Sequence, residues 1–317
     1  SFETFLGRPH TVLFCTSGSL HVKKTIIDCH ALIDRAREII STGTETPIQA
    51  ANSLEKLSIG LKLLRAETSS PKIWNRIGKA ETLAIWESNF LRAAKWMTYF
   101  DEFQRLSESL KLQILKSTWH AWSRLDKVAR NVRAASGPNS YGLGKILIDV
   151  GTTTVLMDMG SVRVDVSWCS KYSVDELRYF ILPPRDDDDD NVIATELQKT
   201  SPDDVELSFM LCQLLLHHAA QQFHGDVREH ADRLTQLLAD SLHDYYSTSA
   251  HLHNLHDYYS TSAHLHKYSA RLARMLKINR WLQAELNKTR SKHDLARTFD
   301  IFFVDFSHPE MFVDPFY

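Results

Sequence analysis

The sequence predicts an all-α domain carrying one small β-sheet. Apolar residues recur at steps of three and four over most of the chain, and Lys79 to Arg130 contains neither glycine nor proline; only Lys145 to Trp168 alternates in the manner of strands. The chain has 317 residues, 43% hydrophobic and 24% charged, enough to bury a sizeable core. That balance excludes disordered, collagen-like and small disulfide-stapled classes. Thirty-seven Lys and Arg against 39 Asp and Glu leave a net charge of -2, so this stretch lacks the basic excess that grips nucleic acid without regard to sequence. Cys15, Cys29, Cys169 and Cys212 are isolated from one another, with no C-x-x-C pair, and a reducing compartment is expected. No apolar run approaches the roughly 20 residues that a membrane helix needs, and no membrane partner is expected.

Residues 1–24 are irregular, with Gly7, Pro9 and Gly18, and begin at Ser1 rather than Met; they read as a hinge-like segment with a further piece expected upstream. From Thr25 a first amphipathic helix is predicted, with Ile26, Cys29, Ile33, Ala36 and Ile40 on one stripe, ended by Gly43 and Pro47. Leu54, Leu57, Leu61 and Leu64 repeat the spacing and predict a second helix, closed by Ser69, Ser70 and Pro71. Two or three long helices fit between Lys79 and Arg130. In the strand-like stretch, Ile146, Ile148 and Val150, then Val155, Met157 and Met159, then Val162, Val164 and Val166 alternate around Gly151 and Gly160, which predicts one small sheet. Five aspartates, Asp186 to Asp190, follow Pro183 and Pro184 and read as a solvated loop.

Ser201, Pro202 and Asp204 predict a helix start with a hydroxyl cap, running to about Gln222. A further helix is expected over about Val227 to Tyr246, and a last long one over Tyr268 to Asn287. Leu242 to His253 recurs unchanged at Leu255 to His266. Stacked repeats need three or more units, so two identical copies read as a recent duplication or a gene-model error.

Two enzyme-like features need weighing. His217, His218, His224, Asp226 and His230, with the doublets His243-Asp244, His256-Asp257 and His293-Asp294, would suit a helical metal-dependent phosphohydrolase of the HD type, in which bound metal lowers the pKa of a water. The spacing is not a known ligand pattern, and ordinary surface histidines are the favoured reading. There is no glycine-rich phosphate loop, no G-x-S-x-G elbow and no H-E-x-x-H. Two L-x-x-L-L strings, Leu211 to Leu215 and Leu234 to Leu238, match helices that plug apolar grooves but read first as core stripes.

Ala94-Lys95, Phe100, Phe103, Leu106-Ser107, Lys111, Leu112, Ile114-Leu115-Lys116 and Trp119 together resemble the signature of the nuclear receptor ligand-binding domain, which reads A-K, F-x-x-L, a leucine-serine turn, D-Q, L-L-K and W-x-E. Tyr268, Arg271-Leu272-Ala273 and Met275-Leu276 look like the family's late-helix pattern. The ending, Phe306 to Asp314, resembles receptors of the large nematode expansion. The resemblance covers about residues 25–317. It departs from the pattern at Leu110, where the family has Asp, and at Ala121, where it has the Glu of W-x-E.

The resemblance implies a three-layer helical sandwich that is not an enzyme and holds no cofactor. It implies a groove for a coactivator or corepressor L-x-x-L-L helix, formed by Leu91, Lys95, Lys111, Leu112 and Leu115, with Lys95 capping the negative end of the partner helix. A short helix from about Pro309 to Asp314 would complete it, with Glu310 or Asp314 pairing the other end, while Pro315 stops a longer helix. Leu83, Trp86, Phe90, His120, Ser123 and Arg130 map to a pocket for a lipophilic small molecule. A bulky stripe such as Trp86 and Phe90 also fits a filled, ligand-free core. At Arg130 the resemblance implies contact with a ligand's polar end, and a half-buried guanidinium favours a carboxylate, which makes fatty-acid-like ligands the first expectation. Homo- or heterodimerisation is expected through the late helix near Tyr268 to Leu276. DNA would be reached only through a zinc-finger half that these residues do not contain, and the nucleus is the expected compartment. A helical scaffold without ligand is the remaining alternative.

Overall fold

A computed structural model of the chain describes residues 24–44, 48–66, 71–136, 141, 144–181, 189–253 and 261–312. Among these, ten α-helices alternate with seven short strands. The first amphipathic stripe folds as helix α1 (His30–Thr42), which ends where Gly43, at φ +74°, donates its N–H to the Ile39 carbonyl. Thr25–Ile27, expected to be helical, is instead a strand, β1. It pairs in parallel with β7 (Val304–Phe306), in register Thr25 with Val304, and that long-range ladder outweighs local helical spacing. Helix α2 (Ser53–Ala66) carries Leu54, Leu57 and Leu61, all fully buried. Gly60 lets α2 lie against Tyr99, because a methyl group there would stand 2.5 Å from the Tyr99 ring.

The stretch free of glycine and proline folds as α3 (Lys79–Met97), a single turn α4 (Asp101–Gln104), and the 29-residue α5 (Glu108–Ser136). The Trp96 and Trp122 rings meet tilted, 5.8 Å apart, and the Trp96 indole donates to the Leu57 carbonyl of α2 at 3.1 Å. Both family departures sit inside this packing, with Leu110 and Ala121 buried.

The strands separate into three small sheets. β4 (Lys145–Val150) and β5 (Thr153–Asp158) form the expected hairpin, but its third strand is β2 (Lys72–Trp74), parallel to β5. Beyond Asp158 the Gly160 and Val162 amides turn back onto that residue, and β6 (Arg163–Val164) leaves the hairpin to pair with β3 (Arg76–Ile77). α6 (Val174–Ile181) and α7 (Asp189–Thr200) follow. Most of the aspartate run lies outside the described residues, and Asp189 and Asp190 open α7.

α8 (Asp204–Gln222) does not start at a Ser201 cap. Asp203 is the cap: its carboxylate accepts the Glu206 N–H at 2.8 Å, and Glu206 accepts the Asp203 N–H at 2.9 Å. Ser201 takes φ +42° instead. α9 (Asp226–His253) contains the first copy of the repeat, and the second copy enters α10 (Thr261–Thr298). Both helices outrun the expected ends: α9 continues through the first copy to His253, and α10 begins at Thr261 and continues to Thr298.

The helices stack in three layers. α5, α8 and α9 form the middle, α1, α2 and α3 one outer layer, and α7 and α10 the other. Phe90, Trp96, Phe100, Phe103 and Trp122 fill the contact between the first two layers. Burying each such side chain stabilises the fold by roughly 1.5–3 kcal/mol before entropy is counted.

Candidate functional site

The C-terminal segment reaches α5 through β7 and then a single 3₁₀ turn, Pro309–Met311, rather than the α-helix expected to run to Asp314. Asp314 lies outside the described residues, as does Pro315. Proline at the start of the turn is tolerated because its missing N–H has no partner to lose. The Trp119 indole donates to the Met311 carbonyl at 2.8 Å inside the core. Phe312 is 5% exposed; its ring stacks on Phe306 at 4.0 Å and meets Trp86 at 5.3 Å and Trp119 at 6.0 Å. Glu310 points outward, where its carboxylate accepts from Lys116 at 2.8 Å and lies 3.1 Å from His308. Partial burial raises the Glu310 pKa, but the Lys116 ammonium and the hydrogen bonds more than offset this, leaving it below its ordinary value.

Leu91 and Lys95 are half-buried on α3; Lys111, Leu112 and Leu115 are buried on α5. Lys111 is not an outward charge. Its ammonium donates to the Gln104 carbonyl at 3.1 Å, closing the end of α4. The cation facing Glu310 is Lys116, which lies within the quoted L-L-K pattern but had no expected role.

The six residues mapped to a ligand pocket divide. Phe90 and His120 are buried in the core, and Leu83 is half-buried against it. Trp86, Ser123 and Arg130 line a cavity of about 420 Å³ between α3, α5 and the β4–β5 hairpin, with Ile77, Ile85 and Met157 among its apolar walls. Its polar wall is a charge network. Arg92 and Arg130 both pair with Asp149; Arg65 pairs with Asp126 at 2.5 Å, and Arg92 lies 3.6 Å from the same carboxylate. Thr154 bridges Arg130, at 3.2 Å, and Asp149, at 3.0 Å. Burial raises the Asp126 pKa, but the Arg65 and Arg92 charges more than compensate and hold it below its ordinary value. Arg130 therefore faces a carboxylate of the protein itself, unlike the open guanidinium expected from sequence. Arg92 and Asp149 had no sequence signal, since one lies on a helix and the other on a strand and no single local period relates them.

A second gap, of about 40 Å³, remains between Trp86, Trp168 and the C-terminal segment, so the aromatic rings nearly fill that side. Of the candidate metal ligands, His217 and His218 meet side-chain amides and His230 meets a backbone carbonyl. The His218 ring lies 2.8 Å from the Gln283 amide and 2.5 Å from that of Gln222, while His217 meets Gln221 and His230 meets the Asp226 carbonyl. Among the described residues no group of three or more His, Cys, Asp or Glu could hold a metal ion. The first L-x-x-L-L string is a core stripe, with Leu211, Leu214 and Leu215 buried; in the second, Leu234 and Leu238 are buried and Leu237 is exposed. On the late helix Arg271 pairs with the buried Glu206 of α8 and donates to the Thr200 carbonyl at 2.9 Å.

A three-layer helical body whose C-terminal segment docks on the signature helix defines a ligand-binding domain of the nuclear receptor type. The family model described as "Ligand-binding domain of nuclear hormone receptor" matches residues 67–253 and 249–299. Among curated relatives, nuclear hormone receptor family member nhr-55 of Caenorhabditis elegans is 36% identical over 99% of this chain and 71% of its own length. Members nhr-130 and nhr-65 of the same organism are 37% and 35% identical, over 68% and 75% of their lengths. The chain belongs to the nuclear hormone receptor family, whose members are ligand-regulated transcription factors and not enzymes.

Proposed function

We propose that residues 25–317 form the regulatory domain of a nuclear transcription factor that recruits a coactivator or corepressor helix in answer to a lipophilic ligand. The observation that carries this reading is the seat of the C-terminal segment. Met311 and Phe312 are anchored on Trp119 and Trp86, while Glu310 is held at the surface by Lys116 beside Leu112 and Leu115. An L-x-x-L-L helix laid along Leu91, Leu112 and Leu115 would meet Lys95 at one end and Glu310, or Asp314, at the other. Removing Pro309 to Tyr317 is expected to abolish binding of a labelled L-x-x-L-L peptide, with Lys95→Ala weakening it. Undiminished binding by the truncated protein would overturn the groove assignment.

The ligand space in this reading is the 420 Å³ cavity, with Trp86, Ser123 and Arg130 in its wall and Leu83, Phe90 and His120 in the packing behind it. A carboxylate ligand would have to compete with Asp149 for Arg130, so a lipophilic molecule with a neutral polar end fits better than a fatty acid. A second reading, docking without ligand, is favoured by the rings of Trp86, Phe306 and Phe312, which leave about 40 Å³ between them and α10. Native mass spectrometry separates the two: a co-purifying lipid-sized molecule supports the first, and a bare mass the second. Dimerisation would use the surface around Tyr268 and Leu276, and DNA contact would require a separate zinc-finger domain.

A further inference from the structure

Helix α1 lies where nothing in the signature places a helix. It packs between α3 and α5 with Ile33, Ala36 and Ile40 buried, and with Leu32 and Ile39 half-buried against the same core. Two ion pairs fix which faces it covers. Arg35 pairs with Glu87 of α3, and the Arg37 guanidinium lies 2.9 Å from Glu108 of α5. Glu87, Leu91 and Lys95 stand at steps of four on one stripe of α3. Glu108, Leu112 and Leu115 likewise share a stripe of α5. These are the two stripes of the proposed coregulator groove, and Leu112 and Leu115 are only 7% and 1% exposed.

The start of α1 adjoins the C-terminal segment. The Cys29 N–H donates to Ser307 Oγ at 2.9 Å, and the His30 and His308 rings meet at 5.0 Å, two residues before Glu310. The helix thus runs from the Glu310 end of the groove toward the start of α5, past Glu87. Its apolar residues Ala36, Ile39 and Ile40 repeat the first, fourth and fifth positions of an L-x-x-L-L helix, with alanine in place of the first leucine.

We propose that α1 is a built-in occupant of the coregulator groove, and that a partner helix must displace it to bind. The inference rests on the coregulator reading above. An occupant on the same chain acts at an effective concentration on the order of millimolar, enough to suppress a competing peptide of micromolar affinity. Its attachment is uneven. The β1–β7 ladder and the Lys24 contacts to Asp300 and Asp305 hold the near end. The far end has no ladder: it is held by burial of Ala36 and Ile40, and its Arg35 and Arg37 pairs are solvent-exposed and contribute little, so a partner that offers the groove equivalent apolar contacts displaces this end first.

The test uses the whole chain and a fluorescent L-x-x-L-L peptide followed by anisotropy. Ile33→Glu with Ile40→Glu is expected to tighten peptide binding at least tenfold, and an added synthetic peptide of residues 29–43 to reverse the gain. Arg35→Glu with Arg37→Glu, confined to exposed side chains, is expected to shift affinity the same way by a smaller factor; it decides the matter if the isoleucine variant fails to fold. In the wild type, saturating peptide should speed amide exchange within α1. Equal, tight binding by wild type and both variants would overturn the displacement model and leave the coregulator reading intact. No binding by any folded variant would overturn both.

Discussion

The two ends of α5 are built on opposite principles. Its first half, Leu112 to Trp119, holds its neighbours by apolar burial, one indole hydrogen bond and exposed ion pairs. Its second half, from Asp126 to Arg130, is cross-linked to α2, α3 and the β4–β5 hairpin by buried carboxylates shared among three arginines. Removing one member of a buried network strands a charge in low dielectric, whereas an exposed pair hands its charges back to water at little cost. The first half therefore suits elements that dock and leave, and the second keeps the cavity wall in place.

The largest effect is expected at the rigid half, where Asp126→Ala should destabilise the fold by about 3–5 kcal/mol in denaturant melts, since Arg65 and Arg92 lose their shared carboxylate. Because the Asp126 pKa is depressed in the folded state, its contribution is complete above the ordinary value of 3.8 and lost as pH falls through the folded value. Wild-type stability should thus drop on acidification, and the variant's should drop less. At the docking half, Phe312→Ala empties a site against Trp86 and Trp119. If that half opens independently, amide exchange in residues 304–312 should accelerate while global unfolding shifts by about 1 kcal/mol or less. A global loss near the 3–5 kcal/mol usual for a buried Phe→Ala would show that the segment belongs to the cooperative core.

Lys116→Ala should cost no more than about 1 kcal/mol, because Glu310 is exposed, yet should reduce coregulator-peptide binding; equal binding would remove the pair from the site. The smallest effect is expected from deleting Leu242 to Asn254. Leu242, Tyr245 and Tyr246 pack or bond in the first copy, with the Tyr245 hydroxyl 2.8 Å from Asp203, and the second copy supplies identical residues in their place. A thermal midpoint lowered by several degrees would show that both copies are structural.

Helix identity was readable because the signal is local. Apolar steps of three and four named α1 and α2, the run without glycine or proline named the helices of Lys79 to Arg130, a start signal near Ser201 named α8, and the signature residues between Ala94 and Trp119 led to the family without any contact being known. Local text also misled where a distant strand competed. Thr25 to Ile27 has helical spacing but pairs with Val304 to Phe306, and Val164 pairs with Ile77 instead of the hairpin beside it. Of the candidate site, the residues proposed for the groove came from the resemblance, and they lie on two helices, Leu91 and Lys95 on α3 and Lys111, Leu112 and Leu115 on α5. Which cation meets Glu310 was not legible, since the choice between Lys111 and Lys116 depends on the Gln104 carbonyl that captures Lys111.

By itself the sequence determined the helical class, the family and the apolar faces, all of which follow from periods and motifs shorter than one helix. Only the tertiary structure decided that Arg130 is neutralised by Asp149 and that α1 packs against α3 and α5, with Arg37 beside Glu108. Such contacts join residues far apart in the chain, and their free energy comes from burial and charge pairing that exist only once the layers have closed.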